Sequence, residues 1–304
     1  MALRKLDSAL CGLVLLISVR ALAGDVLLLK SQNNDANNQA LAGFRRTYSG
    51  KVDEEVDLRG SDSRKNEVSR KISVNKPRMI VAVGPLAAEM ARAEAKNISV
   101  IFLMVSNPAR RGLKGDNIAG VSLDIPISRQ FAKFKELLPT LKTIGVIYNP
   151  SKSSAVSEQA PSAAKQLDLE LMAVPVDSPD DVTIAFTLIN ETVDALWVVP
   201  DETFVTDDWF KFLLRETNRR RLPFLTISEN FVERGALAAV TPDYFDIGRQ
   251  SAELLKEIES GKQRPSEVGT VPPDKVNWVV NKLTAKKIEL PMPRQVLESA
   301  SKVY

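Results

Sequence analysis

The feature that most constrains this chain is an alternation running from end to end: short, continuously apolar runs, each followed by a polar turn and a stretch of helical spacing. Val26-Leu27-Leu28-Leu29, Met79-Ile80-Val81-Ala82-Val83 and Ser99 to Met104 open the series, with the weaker Val52 to Leu58 between the first two. Thr143 to Tyr148, Leu171 to Val176, Ala195 to Val199, Pro223 to Ile227 and Ala236 to Val240 continue it. A strand apolar on both faces needs cover on both faces. Intervening helices supply that cover, so the pattern predicts parallel sheets with helices on either side. A length of 304 residues suits two such units better than one. The expected fold is α/β, with two doubly wound parallel-sheet lobes.

The helical stretches carry their own punctuation. Ile127 to Leu138 places Phe131, Phe134 and Leu138 at helical spacing and stops at Pro139. Ser178-Pro179-Asp180-Asp181 sets a hydroxyl cap, a proline in the first turn and acids near the positive end of the helix dipole. Thr206-Asp207-Asp208 opens another helix. Thr241-Pro242-Asp243 caps one whose apolar face is Tyr244, Ile247, Gly248, Ala252, Leu255 and Ile258. Trp197, Trp209 and Phe212 read as core.

Absences narrow the chemistry. The chain has no histidine and a single cysteine, Cys11. Ser-His-Asp and Cys-His nucleophilic machinery is therefore excluded in its usual forms, and so are His/Cys zinc sites. No G-x-G-x-x-G follows a strand and there is no Walker A sequence, so no cofactor is expected. With 41 Lys+Arg against 38 Asp+Glu, the net charge of +3 is far from that of a nucleic-acid binder. The basic runs Arg110-Arg111 and Arg219-Arg220-Arg221 read as solvated charges at element ends.

The first 23 residues read as an exported leader. Arg4-Lys5 precede the apolar run Ala9 to Val19, and Ala21-Leu22-Ala23 closes it in the small-x-small pattern of a signal-peptidase site. The run is too short for a membrane span. Cleavage after Ala23 removes the only cysteine, which suits an oxidising compartment. A periplasmic location is expected.

In a doubly wound sheet, ligands bind outside the carboxyl ends of the strands. The residues just past the predicted strands are therefore the candidate site. They include Ser31, Gly84, Ser106, Asn107, Asn149, Asp201, Ser228, Glu229 and Tyr244. Hydroxyls, amides and carboxylates with one aromatic suit a small polar ligand held by hydrogen bonds, although the same residue types favour caps and turns. A carboxylate-based hydrolase, the second alternative, would use two of Asp201, Glu202 and Glu229 as paired acid and base.

Several spaced motifs resemble the ABC-transporter substrate-binding proteins, in particular the group with tryptophan- and phenylalanine-binding members. They are Asn117-Ile118-Ala119-Gly120-Val121-Ser122, Leu137-Leu138-Pro139, and Thr143-Ile144-Gly145-Val146-Ile147-Tyr148-Asn149-Pro150. Further on come Arg234-Gly235-Ala236-Leu237-Ala238, Asp243 to Gln250, Val279-Val280-Asn281, Thr284 to Lys287 and Leu290-Pro291. The resemblance implies the type I periplasmic-binding fold, whose multi-crossing hinge lets two lobes close on a ligand. It places lobe 1 at 24–121 plus 243–270 and lobe 2 at 122–242 plus 271–304. The first crossing would be Asn117 to Ser122 and the second Thr241 to Tyr244. The implied function is capture of a small polar, amino-acid-like ligand without catalysis, for delivery to an ABC-type permease. A sensory adaptor signalling to a membrane receptor is the alternative. The turn Gly84-Pro85-Leu86-Ala87 departs from the family's Gly-Thr-Pro-Ala-like pattern and lacks the hydroxyl that could bind a ligand carboxylate. Val52 to Asn75 is also more charged than the pattern.

Overall fold

The computed structural model describes residues 26–199 and 207–304. The segment expected to be a leader, Asp201, Glu202 and the expected helix cap Thr206 lie outside the described residues. The first sheet is built from β1 (Val26–Lys30), β2 (Val52–Asp57), β3 (Met79–Val83), β4 (Ser99–Val105) and β5 (Ile118–Ser122). Helices α1 (Asp35–Thr47), α2 (Lys65–Asn75) and α3 (Pro85–Glu94) alternate with them. The chain then enters a second unit. It runs α4 (Ile127–Leu137), β6 (Thr143–Tyr148), α5 (Ser154–Gln166), β7 (Glu170–Pro175), α6 (Val182–Ile189), β8 (Ala195–Val198), α7 (Asp207–Arg219), β9 (Phe224–Thr226), α8 (Glu229–Glu233) and β10 (Ala238–Pro242).

The remaining elements divide between the two units. α9 (Tyr244–Glu259), α10 (Pro265–Val268) and the short β11 (Thr270–Val271) return to the first. β12 (Val276–Val280), α11 (Lys282–Lys287), α12 (Arg294–Ser299) and β13 (Ala300–Val303) complete the second.

The first sheet runs β11-β5-β4-β3-β1-β2 and is parallel throughout. The second runs β13-β12-β10-β9-β8-β6-β7, parallel except where β12 pairs antiparallel with β10. Counted from its own first strand, each sheet therefore has the order 2-1-3-4-5. That is a doubly wound sheet whose switch point lies between β1 and β3 in one unit and between β6 and β8 in the other. Each sheet carries an apolar cluster on both faces, as continuous apolar strands require. Trp197 is 1% exposed and meets the Phe131 ring edge-on at 5.0 Å. Trp209 is buried in the same way, and Phe212 packs at its cluster's margin.

The chain passes between sheets three times, after β5, after β10 and after β11. The first passage falls at 123–126, just beyond the expected Asn117 to Ser122, because Ile118–Ser122 pairs fully with β4 as a strand. Gly120 permits that pairing: a Cβ there would lie 2.2 Å from the Phe102 carbonyl oxygen. Lateral bonds stitch the passages together. Asp243 N–H donates to Lys275 O at 3.0 Å, Gln250 Nε2 donates to Pro272 O at 3.0 Å, and Arg129 donates to Pro273 O.

Candidate ligand site

A cavity of about 550 Å³ opens where β1, β3 and β4 end, beside the switch point of the first sheet. Ser31 follows β1, and its Oγ accepts the Ala87 N–H at 2.9 Å, tying the end of that strand to the first turn of α3. Asn34 caps α1 by accepting the Asn37 N–H at 2.8 Å, which fixes the polar turn beside Ser31. Gly84 serves this arrangement by its shape. Its φ is +87°, and a Cβ on it would lie 2.7 Å from Ser31 Oγ.

At the end of β4 the register slips against β5, and Met104 sits in the slip with φ +61°. A bulge with left-handed backbone beside a cavity is a local cost retained where a side chain must be re-aimed. Here Met104 lines the cavity with Leu86, Leu123 and Tyr244. Ser106 and Arg111 follow on the loop after β4. That loop is held by Asp124 on the first inter-sheet passage, which accepts the Asn107 N–H at 2.9 Å. Partial desolvation by its neighbours pushes the Asp124 carboxyl above its ordinary range although the residue stays exposed, against the opposing pull of that N–H.

Of the nine expected residues, the eight that are described separate, Asp201 lying outside the described residues. Ser31, Ser106 and Tyr244 line the cavity. Gly84 and Asn107 shape its walls; Asn107 itself has φ +49°. Asn149 is buried and organises its own turn, Oδ1 accepting from the N–H and Oγ of Ser151 and Nδ2 donating to Asp177 O. Ser228 stands at the start of α8, its N–H donating to Thr226 Oγ1 at 3.3 Å. Glu229 is held by Lys302 Nζ at 2.8 Å and by the Tyr304 hydroxyl at 3.2 Å. Its charge still reaches Tyr244: burial first, and Glu229 second, push the Tyr244 phenol upward.

Two charged lining residues are additional to those nine, Glu89 on α3 and Arg111. Arg110 and Arg111 are not element-end charges. Arg111 Nη1 donates to Glu89 Oε1 at 2.7 Å, and Arg110 reaches the second unit, donating to Lys152 O at 2.8 Å and Ser151 O at 3.2 Å. Their signal was their place, five and six residues past Val105, the last residue of β4. The other basic run, Arg219 to Arg221, does form surface pairs, with Glu216, Glu191 and Glu289.

Residues 49–304 match the profile of the ABC transporter substrate binding proteins. The chain belongs to that family. A tyrosine-binding protein of Clostridioides difficile (strain R20291) is 27% identical over 234 residues, which are 73% of this chain and 66% of that relative. About a third of the relative's length therefore lies outside the match. Among solved structures, the ligand-free, open form of a Clostridium difficile substrate-binding protein with adhesive properties superposes with a TM-score of 0.76. It has 20% identity and covers 92% of this chain and 99% of the other. A Streptococcus pneumonia domain in complex with L-Trp gives a TM-score of 0.58 at 23% identity, covering 92% and 99%. The fold is the type I periplasmic-binding architecture, and the family role is solute binding.

Proposed function

We propose that this protein is an exported receptor that captures an amino-acid-like solute between its two lobes and delivers it to an ABC-type permease. The observation that carries the reading is the cavity at the carboxyl ends of the first sheet, where Ser31, Ser106 and Tyr244 stand beside the apolar Leu86, Met104 and Leu123. A ligand would seat first on Ser31, Ser106 and Tyr244, over walls shaped by Gly84 and Asn107. Closure would bring up Asp201, Ser228 and Glu229 from the other lobe, beside the turn that Asn149 organises. Contacts made only in the closed form favour that form, and the closed shape is what a permease can distinguish. The tyrosine-binding relative and the L-Trp complex support an amino acid as the ligand class. The leader pattern in Met1 to Ala23 supports export. Among the described residues, no helix is long and apolar enough to cross a membrane.

A ligand that binds only the folded state raises the melting temperature by mass action. Thermal denaturation against the twenty L-amino acids, nucleosides, sugars and small organic acids should show a shift confined to amino acids. A shift from sugars or nucleosides alone would overturn the ligand class, and a flat response to all four classes would overturn capture itself.

A further inference from the structure

The charge of the cavity wall resides in two side chains. Of the described lining residues only Glu89 and Arg111 are charged at neutral pH, and they are paired with each other. Arg111 Nε donates to Ser106 O at 3.2 Å and Nη1 to Glu89, so Nη2 is left for a ligand. Both partners are about two-fifths exposed, 41% and 39%. An ion pair this exposed contributes little to folding, so either partner can exchange for a ligand group at small cost. The start of α3 offers an anion less than a helix start usually does. Pro85 brings no N–H, and the Ala87 N–H is already taken by Ser31 Oγ. Ser31 still has its hydroxyl proton to give.

We infer that Arg111 and Glu89 together read a zwitterion: Arg111 Nη2 takes the ligand's carboxylate and Glu89 takes its ammonium, one carbon away. This rests on the reading of the cavity as an amino-acid site, and it names the residues that select within it. A net-neutral ligand leaves the pair's charges balanced, each matched by its opposite. A dicarboxylate brings one anion too many, and a sugar brings no charge for either partner. The apolar wall of Leu86, Met104 and Leu123 then receives the side chain. Glu229 is not among the residues that line this cavity, whereas Glu89 is.

The test is calorimetric titration of the full chain with L-tyrosine, L-tyrosinamide and N-acetyl-L-tyrosine, alongside the other nineteen L-amino acids and the amide and N-acetyl forms of the tightest binder. The wild type should prefer the free amino acid over both blocked forms by about tenfold or more, the worth of one charge-assisted bond. Arg111→Ala should abolish the preference over the amide while keeping that over the N-acetyl form, and Glu89→Gln should do the reverse. Both side chains lie at the surface, and an unchanged melting temperature without ligand will show that each variant folds. Undiminished discrimination in both variants, with the wild type still binding amino acids, overturns this assignment and leaves the proposed function standing. Equal binding of blocked and free forms by the wild type also overturns it. Failure of every amino acid to bind overturns both.

Discussion

Two carboxylates beside the inter-sheet passages are tuned in opposite directions, and each makes a separate prediction. Asp246, 3% exposed, is held below its ordinary range by the bonded Arg249 guanidinium, with Lys275 adding its charge. A depressed folded pKa adds stability above the unfolded value, and that stability is lost as pH falls through the folded value. Asp246→Asn should therefore cost about 1–3 kcal/mol at pH 7, and the cost should shrink as pH drops below about 4. Urea unfolding at a series of pH values measures both. Asp124 is the converse case, an exposed residue whose carboxyl is raised by partial desolvation. Its ionised form weakens the fold as pH rises from the unfolded value through the folded one. Asp124→Asn should accordingly be neutral or stabilising at pH 7 in the same experiment. A clear loss of stability in that variant would mean that the bond to the Asn107 N–H outweighs the desolvation.

At the scale of elements, the contact between α1 and α9 decides whether the chain can come back after its second crossing. α9 follows a strand of the second sheet but packs on the first unit, with its backbone close against α1. The approach works because two glycines face each other's helices. A Cβ on Gly43 would lie 1.9 Å from Phe245 O, and one on Gly248 would lie 1.8 Å from Ala40 O. Backbone cannot yield as a flexible side chain does, so Gly248→Ala should destabilise by roughly 1–3 kcal/mol or more. The denaturant midpoint should fall accordingly; an unchanged midpoint would show that the helices can part without loss. Gly248 was visible in the sequence as a member of the apolar face, but periodicity places residues on faces and says nothing of how near the neighbouring backbone comes.

For the whole molecule, one bridge between the two units is Arg110, whose guanidinium spans to the carbonyls of Ser151 and Lys152. The turn that presents those carbonyls is organised by Asn149, which explains a buried amide at a position that suggested ligand contact. Hydrogen bonds between exposed groups are worth about 0.5–1.5 kcal/mol net, enough to shift the balance between lobe arrangements by a few-fold. Arg110→Ala should enlarge the radius of gyration of the ligand-free protein in small-angle scattering. An unchanged radius would show that the passages alone set the angle between the lobes.

The amino-acid sequence by itself determined the class of fold. Continuous apolar strands separated by helices leave parallel sheets covered on both faces as the economical burial, and Thr143–Tyr148, Met79–Val83 and the Asp243 cap were legible because their signals are local. The lack of histidine and the single cysteine likewise restrict the chemistry through composition alone. Strand β5 was less legible, since Ile118-Ala119-Gly120-Val121-Ser122 becomes a strand only with Phe102 beside its glycine. In the site, Ser31, Ser106 and Tyr244 followed from the rule that ligands lie past the strand ends. The pairing of Arg111 with Glu89, of Arg110 with the facing lobe and of Glu229 with Lys302 did not. These partners are separated by 22, 41 to 42 and 73 positions in the chain. Only the tertiary structure could join them, because a charge shows its sign in the sequence but acquires a role from the opposite charge that folding brings within reach.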